Sequence, residues 1–263
     1  MQFIKMKPTT NGVRHNIKIK KSDLAKSNKI SKKILLQRKK NCAGRSASNG
    51  RITMWHRGSG HKKRIRVLNE ANENIHSITI CTCYDPNRNA FINLNFELDK
   101  KLFFFNLSSN LSYPGSLFKT SSDLNELRLG YRTNLKSIPN GSTIHNVSTN
   151  KFNKGKFIRA AGTYGQLIER GYQRAKIKLP SKKILELSTE AFATLGMVSN
   201  LTNNKKVFGK AGNKRHLGRR PIVRGIAMNP VDHPHGGRTN GGKPSVTPWG
   251  LPTKGKFKLK RKK

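Results

Sequence analysis

The chain has 263 residues and a formal net charge of +42, because 54 Lys and Arg residues face only 12 Asp and Glu residues. A field of this size requires a dense polyanion as partner, which leaves nucleic acid or an anionic membrane surface. Only 34% of the residues are hydrophobic and no apolar run approaches the roughly 20 residues of a membrane span, so we expect no membrane partner.

The acidic residues divide the chain into three parts. Asp23 is the only acid before Glu70, and Asp232 is the only acid after Glu190. A middle segment of near-normal charge balance, about residues 70 to 190, is therefore flanked by two basic arms. We expect these arms to have too little apolar surface to fold on their own.

The first arm ends in a glycine-rich basic motif, "GRSASNGRITMWHRGSGHKKRIRVLN". Glycines let backbone amides approach phosphates, cations neutralise them, and Trp55 either stacks on an unpaired base or packs in the core. A solvated basic loop is the alternative. We predict RNA contacts for Arg45, Arg51, Trp55, His56, Arg57, His61, Lys62, Lys63 and Arg64.

Short strands follow the motif. "SITICTCYDPN" alternates Ile78 and Ile80 against Thr79, Cys81 and Cys83 and ends in an Asp-Pro-Asn turn. "KKLFFFNLS" is an aromatic run that is compatible with a buried strand. Between them, "FINLNFEL" places four apolar side chains on one face: Ile92, Leu94, Phe96 and Leu98. Cys81 and Cys83 share a strand face, where packing is their expected role. Three cysteines at this spacing predict no disulfide framework and indicate a reducing compartment.

The second half of the middle segment repeats this pattern. "IPNGSTIHNV" has an Asn-Gly turn before a strand, and residues 156–188 predict three strands joined at Gly171 and at Pro180-Ser181. "TEAFATLGMV" is either a helical turn or a last strand. Many short strands predict a sandwich or barrel, and a break near residue 130 favours two small barrels in series.

Glycine, proline, lysine and arginine dominate after residue 203, and we expect an extended arm there. Its last residues, "KGKFKLKRKK", either thread between RNA helices or form a solubilising tail. In "RGIAMNPVDHPHGGR", Pro230 and Pro234 disfavour helix at the residues before them, and Gly236 and Gly237 permit a sharp turn. This composition predicts a stiff, narrow ribbon suited to a groove.

The cluster of Asp232, His233 and His235 raises the question of catalysis or metal binding. Neighbours in an extended segment point to opposite sides, and no CxxC or HExxH sequence accompanies the histidines. We therefore predict that the chain binds no metal and no cofactor and that it is not an enzyme. Acid-base catalysis by His233 is one alternative, and a general RNA chaperone or DNA-compacting protein is another.

Several stretches, in collinear order, together resemble one protein family: the second protein of the large ribosomal subunit, in its bacterial and organellar form. They are "GRITMWHRGSGHKKRIR", "YDPNRNAFI", "IPNGSTIHNV", "RAAGTYGQLI", "ATLGMV", "FGKAGNKRHLGRRPIVRGIAMNPVDHPHGG" and "VTPWGLPTKG". The resemblance implies an all-β protein, with an OB-like barrel followed by an SH3-like barrel and long basic N- and C-terminal extensions. Its expected parts are an N-terminal extension at 1–47, barrels at 48–130 and 131–205, and an RNA-threading arm at 206–263.

The same resemblance implies a structural, primary rRNA-binding protein that supports subunit association, tRNA binding and the peptidyl transferase region. Direct acid-base participation of His233 in peptidyl transfer is the alternative. Expected partners are large-subunit ribosomal RNA, neighbouring ribosomal proteins and the small subunit at the intersubunit face, without homo-oligomerisation. The C-terminal RNA contacts are expected at Lys210, Arg215, His216, Arg219, Arg220, Arg224, Asn229, His233, His235, Arg238, Trp249 and Lys254.

The Lys- and Asn-rich composition and the lack of a presequence-like start resemble organelle-encoded versions of this family. We expect a mitochondrial location, in the matrix on the mitochondrial ribosome. A plastid or the cytoplasm of a bacterium are the alternatives.

Overall fold

A computed structural model describes residues 3–19, 24, 36–38, 43–58, 60–70, 74–122, 126–237 and 243–254. These residues form two compact units. Unit 1 consists of the described parts of 1–40 and 61–213, and unit 2 of those of 41–60 and 214–263. Within the described ranges, no helix is long and apolar enough to cross a membrane.

The regular structure is almost entirely short strands. They are β1 (Phe3–Lys5), β2 (Ile17–Ile19), β3 (Leu36–Arg38), β4 (Arg64–Arg66), β5 (Ile75–Cys83), β6 (Ile92–Glu97), β7 (Phe103–Leu107), β8 (Leu117–Thr120), β9 (Arg132–Asn134), β10 (Thr143–His145), β11 (Val147–Ser148), β12 (Gly155–Phe157), β13 (Gly165–Arg170), β14 (Arg174–Lys178), β15 (Ile184–Ser188) and β16 (Phe192–Leu195). Among the described residues, the helices are one α-helix, α1 (Ala211–His216), and 3-10 turns at Leu201–Lys205 and Gly225–Ala227.

Ten of the strands form one sheet in unit 1, in the order β15-β14-β13-β10-β16-β9-β8-β5-β6-β7. Neighbouring strands are antiparallel except β8 and β9, which share a parallel pair between Thr120 and Arg132. This pair joins an antiparallel group, β5 to β8, to a second group formed by β9, β10 and β13 to β16. Two successive β-structures are what the sequence predicts.

Each group has its own apolar cluster, which holds its strands together. The first cluster contains Leu68, Cys83, Ala90, Ile92, Leu94, Phe105, Leu107 and Val198. The second contains Leu135, Ile138, Ile144, Val147, Leu167, Ala175, Ile177, Ala191, Ala193 and Leu195. Burial of a large aliphatic side chain stabilises a fold by ~1.5–3 kcal/mol, so clusters of this size stabilise the strand pairs around them.

The one-sided face expected for "FINLNFEL" is wrong in part. β6 ends at Glu97, which leaves Leu98 beyond the strand and 44% exposed. Asn93 and Asn95, on the other face, are buried as deeply as the apolar residues. The chain after β7 covers that face, where the side-chain Nδ2 of Asn93 donates a 3.1 Å hydrogen bond to Ser112 Oγ.

The ambiguous stretch "TEAFATLGMV" contains a strand. β16 lies between β10 and β9 near the middle of the sheet, and all four of its residues are buried. The three strands predicted for residues 156–188 include β13, β14 and β15. Their turns lie at Gly171 and at Pro180-Ser181, as the sequence predicts.

The N-terminal residues are more structured than an arm of this composition predicts. β1 and β2 form a hairpin, and Ile17 of β2 pairs with Val207 from the far end of unit 1. Lys205 Nζ lies 5.8 Å from the centre of the Phe3 ring. Lys205 and Val207, which are distant in the sequence, therefore add contacts to a hairpin that pairs within itself.

Candidate nucleic-acid interface

The loop from 43 to 58 in unit 2 is closed by its backbone. Gly44 O accepts hydrogen bonds from the amides of Thr53 at 2.9 Å and Met54 at 3.0 Å. Gly44 has φ +78°, and a Cβ there would lie 2.1 Å from Met54 O, so only glycine fits. The closed loop holds the cations Arg45, Arg51 and Arg57 exposed.

The second basic segment of unit 2 contacts this loop. Arg57 pairs with Arg219 as an isolated β-bridge, and the amide of Arg220 donates to His56 O at 3.0 Å. Three exposed arginines thus lie on adjoining backbones. Asp232 is the only acidic residue in the sequence of unit 2. Like charges placed so closely repel one another, which favours binding of a polyanion.

The segment around His233 is folded into turns. Asn229 O accepts from the amides of Asp232 at 3.0 Å and His233 at 3.3 Å, and Gly236 N donates to His233 O at 2.8 Å. His233 is 9% exposed, and a Cβ at Gly225 would lie 2.6 Å from its ring. The stiff ribbon predicted for this segment is therefore wrong, because local hydrogen bonds close the chain on itself.

The same contacts give His233 a structural environment. The amide of His235 donates to His233 Nδ1 at 3.0 Å, and the two ring centres are 4.8 Å apart. Within the described ranges, no Lys or Arg side chain forms an ion pair with Asp232. Because Nδ1 accepts from the backbone and the ring lies against Gly225, the geometry favours a role for His233 in holding the shape of this loop over a role in acid-base chemistry.

The predicted contact residues fall in both units. Unit 1 contains His61, Lys62, Lys63, Arg64 and Lys210, and the other described residues of the set are in unit 2. Exposed members are Arg45, Arg51, Trp55, Arg57, His61, Lys62, Arg64, Lys210, His216, Arg219, Arg220, Arg224, Asn229, Trp249 and Lys254. His56, Lys63, Arg215 and His235 are half-buried, and Arg238 lies outside the described residues.

Sequence reasoning missed a group of exposed cations on the N-terminal hairpin, namely Lys5, Lys7, Arg14 and Lys18. This hairpin lies beside the predicted contact Lys210, whose Cδ would be 3.3 Å from a Cβ at Gly12. The strands here are only three residues long, so they carry no readable periodicity. The high Lys content of the segment was the only available signal.

Three buried charges in unit 1 have ion-pair or hydrogen-bond partners within the fold. Arg159 Nη2 lies 2.6 Å from Glu70 Oε1, and the side chain of Glu70 is 3% exposed. Arg132 donates to Asn146 O at 2.9 Å, and burial lowers the pKa of its guanidinium to about 10. The carboxylate of Asp85 accepts from Arg88 Nε at 2.8 Å and from the amide of Asn87 at 2.9 Å, which orders the "DPNR" turn.

The described cysteines and histidines offer few neighbours that could complete a metal site. In the described part of the chain, no group of three or more His, Cys, Asp or Glu side chains is placed to hold a metal ion. Cys81 Sγ and Cys83 Sγ are 3.6 Å apart. Their hydrogen bond lowers the pKa of Cys81 to about 7 and, together with burial, raises that of Cys83.

Comparison with known proteins assigns the chain to a family. Residues 32–115 match the RNA-binding N-terminal domain of the ribosomal proteins L2, and residues 128–250 match the C-terminal domain of the same proteins. The chain belongs to the ribosomal protein L2 family. The all-β fold of an OB-like part followed by an SH3-like part, predicted from the resemblance to this family, is confirmed.

Relatives in the L2 family match along almost the whole chain. The mitochondrial large ribosomal subunit protein uL2m of Reclinomonas americana is 42% identical over 95% of this chain and 91% of its own length. Large ribosomal subunit protein uL2 of Orientia tsutsugamushi is 40% identical over 96% of this chain and 93% of its own length. The uL2 protein of Buchnera aphidicola is 40% identical over 100% of this chain and 96% of its own length.

Proposed function

We propose that this chain is a structural component of a large ribosomal subunit and binds its ribosomal RNA. The single observation that carries the proposal is the meeting of Arg57, Arg219 and Arg220 in a unit with one acidic residue. Their exposed side chains suit phosphates. The match to an RNA-binding domain of the L2 proteins supports the same conclusion.

Contacts are proposed for the exposed members of the predicted contact set in both units and for the cations of the N-terminal hairpin, with Arg238 and the basic C-terminal tail as further candidates. The proposed domain boundaries are those predicted from the sequence: an N-terminal extension at 1–47, barrels at 48–130 and 131–205, and an RNA-threading arm at 206–263. Proposed partners also include neighbouring ribosomal proteins and the small subunit at the intersubunit face, without homo-oligomerisation. Support for subunit association, tRNA binding and the peptidyl transferase region belongs to the same proposal.

The proposed role is not enzymatic. Exchange of His233 for Gln in fully assembled large subunits is expected to leave the rate of peptidyl transfer unchanged. General acid-base catalysis accelerates reactions by roughly 10² to 10⁴ fold, so its loss would be plain in a single-turnover assay. A loss of that size in correctly assembled subunits would contradict the non-enzymatic proposal.

A mitochondrial location, with the chain encoded in the organelle, is proposed from the uL2m relative of Reclinomonas americana and from the Lys- and Asn-rich composition. The bacterial relatives keep a bacterial cytoplasm as the competing location, and a plastid is the third. Immunodetection of the chain in ribosomes purified from each compartment separates these locations.

The proposed function is tested by sedimentation of the full chain with large-subunit ribosomal RNA and with an unrelated RNA of equal length. Specific binding predicts co-sedimentation with the ribosomal RNA that survives a salt wash which removes the chain from the unrelated RNA. A general RNA chaperone would be washed from both RNAs equally, because its binding depends on phosphate charge alone. Equal loss would therefore overturn the proposal.

A further inference from the structure

The two tryptophans of the chain meet on the surface of unit 2. Trp55 lies in the loop from 43 to 58, and Trp249 lies near the C-terminus, yet their ring centres are 6.2 Å apart with planes inclined by 59°. The residues are 51% and 68% exposed. They are the only tryptophans in the 263 residues.

This pair is not the core of the unit. The turns that carry the two rings are closed by their own backbones. Gly44 O binds the amide of Met54 beside Trp55, and on the other side Thr247 N donates to Leu251 O at 2.7 Å. Gly250 N also donates to Thr247 O at 2.9 Å. Both indoles are thus held on preformed turns and keep much of their surface in water.

Two exposed indoles in contact form a contiguous apolar patch, and such patches mark binding sites more often than single exposed rings do. The surrounding charge decides which partner suits them. Unit 2 has a single acidic residue, and the exposed cations Arg51, Arg57 and Lys254 are close to the two tryptophans in the sequence. A ligand must therefore combine a flat apolar surface with negative charge. An unpaired nucleobase with its phosphate has both.

We propose that Trp55 and Trp249 together form a stacking site for an unpaired base of RNA. The proposal rests on the proposed RNA-binding function and adds a contact to a base, where the arginines supply contacts to phosphates. The tilt of 59° between the rings leaves outer faces available, so the base stacks on the pair rather than between its members. Because every base has a π-face, the site tolerates different bases.

Tryptophan fluorescence reads this site directly, since the chain has no other tryptophan. The full chain is titrated with a single-stranded RNA and with an abasic strand that has the same phosphate backbone. Stacking predicts saturable quenching by the RNA and little quenching by the abasic strand. Equal quenching by both strands overturns the stacking site.

Substitution tests the contribution to affinity. Trp55→Leu and Trp249→Leu are each expected to weaken RNA binding about tenfold at fixed salt, with binding of the abasic strand unchanged. Trp55→Phe retains a ring and is expected to lose less affinity, which separates stacking from a folding defect. Tyr172→Leu is the matched control, because Tyr172 is a 91% exposed aromatic residue of unit 1.

The outcomes also separate the two proposals. If both leucine variants bind RNA as tightly as the unchanged chain, the stacking site is wrong while the phosphate contacts stand. If the unchanged chain fails to bind ribosomal RNA, the proposed function itself is wrong, and the stacking site with it. A shift of the emission on anionic lipid vesicles, without quenching by RNA, would assign the pair to a membrane surface and overturn the proposal.

Discussion

At the scale of single residues, His145 is the most completely enclosed ionisable group of the second strand group. Its ring is fully buried, with Nδ1 3.1 Å from Gly196 O and Nε2 3.3 Å from Ser109 Oγ. A neutral imidazole satisfies both contacts, donating to the carbonyl and accepting from the hydroxyl. Burial lowers the pKa of His145 from 6.5 to about 4, and the nearby Arg132 acts in the same direction.

This enclosure predicts a stability that depends on pH. The unfolded chain takes up a proton at His145 near pH 6.5, whereas the folded chain takes it up near pH 4. The contribution is complete above pH 6.5 and is lost as the pH falls to about 4. The free energy of unfolding in urea should fall by about 3 kcal/mol over this range. His145→Gln should remove this part of the pH dependence. His76→Gln is the control, because His76 is exposed, and it should keep the full pH dependence. The same dependence of unfolding free energy on pH in both variants would contradict the prediction.

Glu70 is the buried counter-charge of Arg159, and it also lies near enough to Arg132 to affect the pKa of that guanidinium. Exchange of Glu70 for Gln should therefore destabilise unit 1 by about 3 kcal/mol, the low end for a buried ion pair, because it removes the counter-charge of the half-buried Arg159 and of the nearby buried Arg132. Urea unfolding measures the loss. Glu126→Gln is the control, since Glu126 pairs with Arg128 on the surface and its loss should cost less than ~1 kcal/mol. Equal effects of the two changes would mean that burial of the Glu70 pair is unimportant.

At the scale of structural elements, Gly225 fixes the turn that encloses His233. A methyl group at Gly225 would lie 2.6 Å from the imidazole, so Gly225→Ala should destabilise unit 2 by about 1–3 kcal/mol. Limited proteolysis should then cleave residues 225–237 faster. Gly212→Ala in α1 is the control, because a Cβ there meets nothing within 4 Å.

A second substitution identifies the cause. If the clash with the ring is responsible, adding His233→Ala to Gly225→Ala should cost less than the sum of the separate changes. Additive effects of the two changes would show that Gly225 acts through its backbone alone.

The strands were largely predictable, whereas the contacts within unit 2 were not. β5 and β13 to β15 follow from alternating residues and turn signals, since a half-buried strand has a period of two, and β7 follows from its continuous apolar run. The approach of Arg57 to Arg219 joins segments far apart in the sequence through backbone bonds, which leave no pattern in side-chain hydrophobicity. Burial of His233 depends on the absence of a side chain at Gly225, and that also gives no periodic signal.

At the scale of the whole molecule, the charge of +42 makes binding strongly dependent on salt. Exchange of Arg219 and Arg220 for Gln should reduce the slope of log binding constant against log salt concentration by about two, if each arginine neutralises one phosphate. Titration of labelled ribosomal RNA at several salt concentrations gives the slope. Lys182→Gln with Lys183→Gln, an equal charge change in the turn before β15, should leave it unaltered. An unchanged slope in the arginine variant would remove these two residues from the interface.

The position of β16 imposes an order on synthesis. Residues 75–120 contain β5 to β8, which pair among themselves, so these four strands can pair while the rest of the chain is still being translated, and Val198 completes their apolar cluster later. The second group must wait, because β9 and β10 both pair with β16, and β16 ends only at Leu195. A nascent chain halted before Phe192 would therefore present β9 and β10 with open edges, at the stage when capture by a chaperone or by a misplaced strand is most favoured.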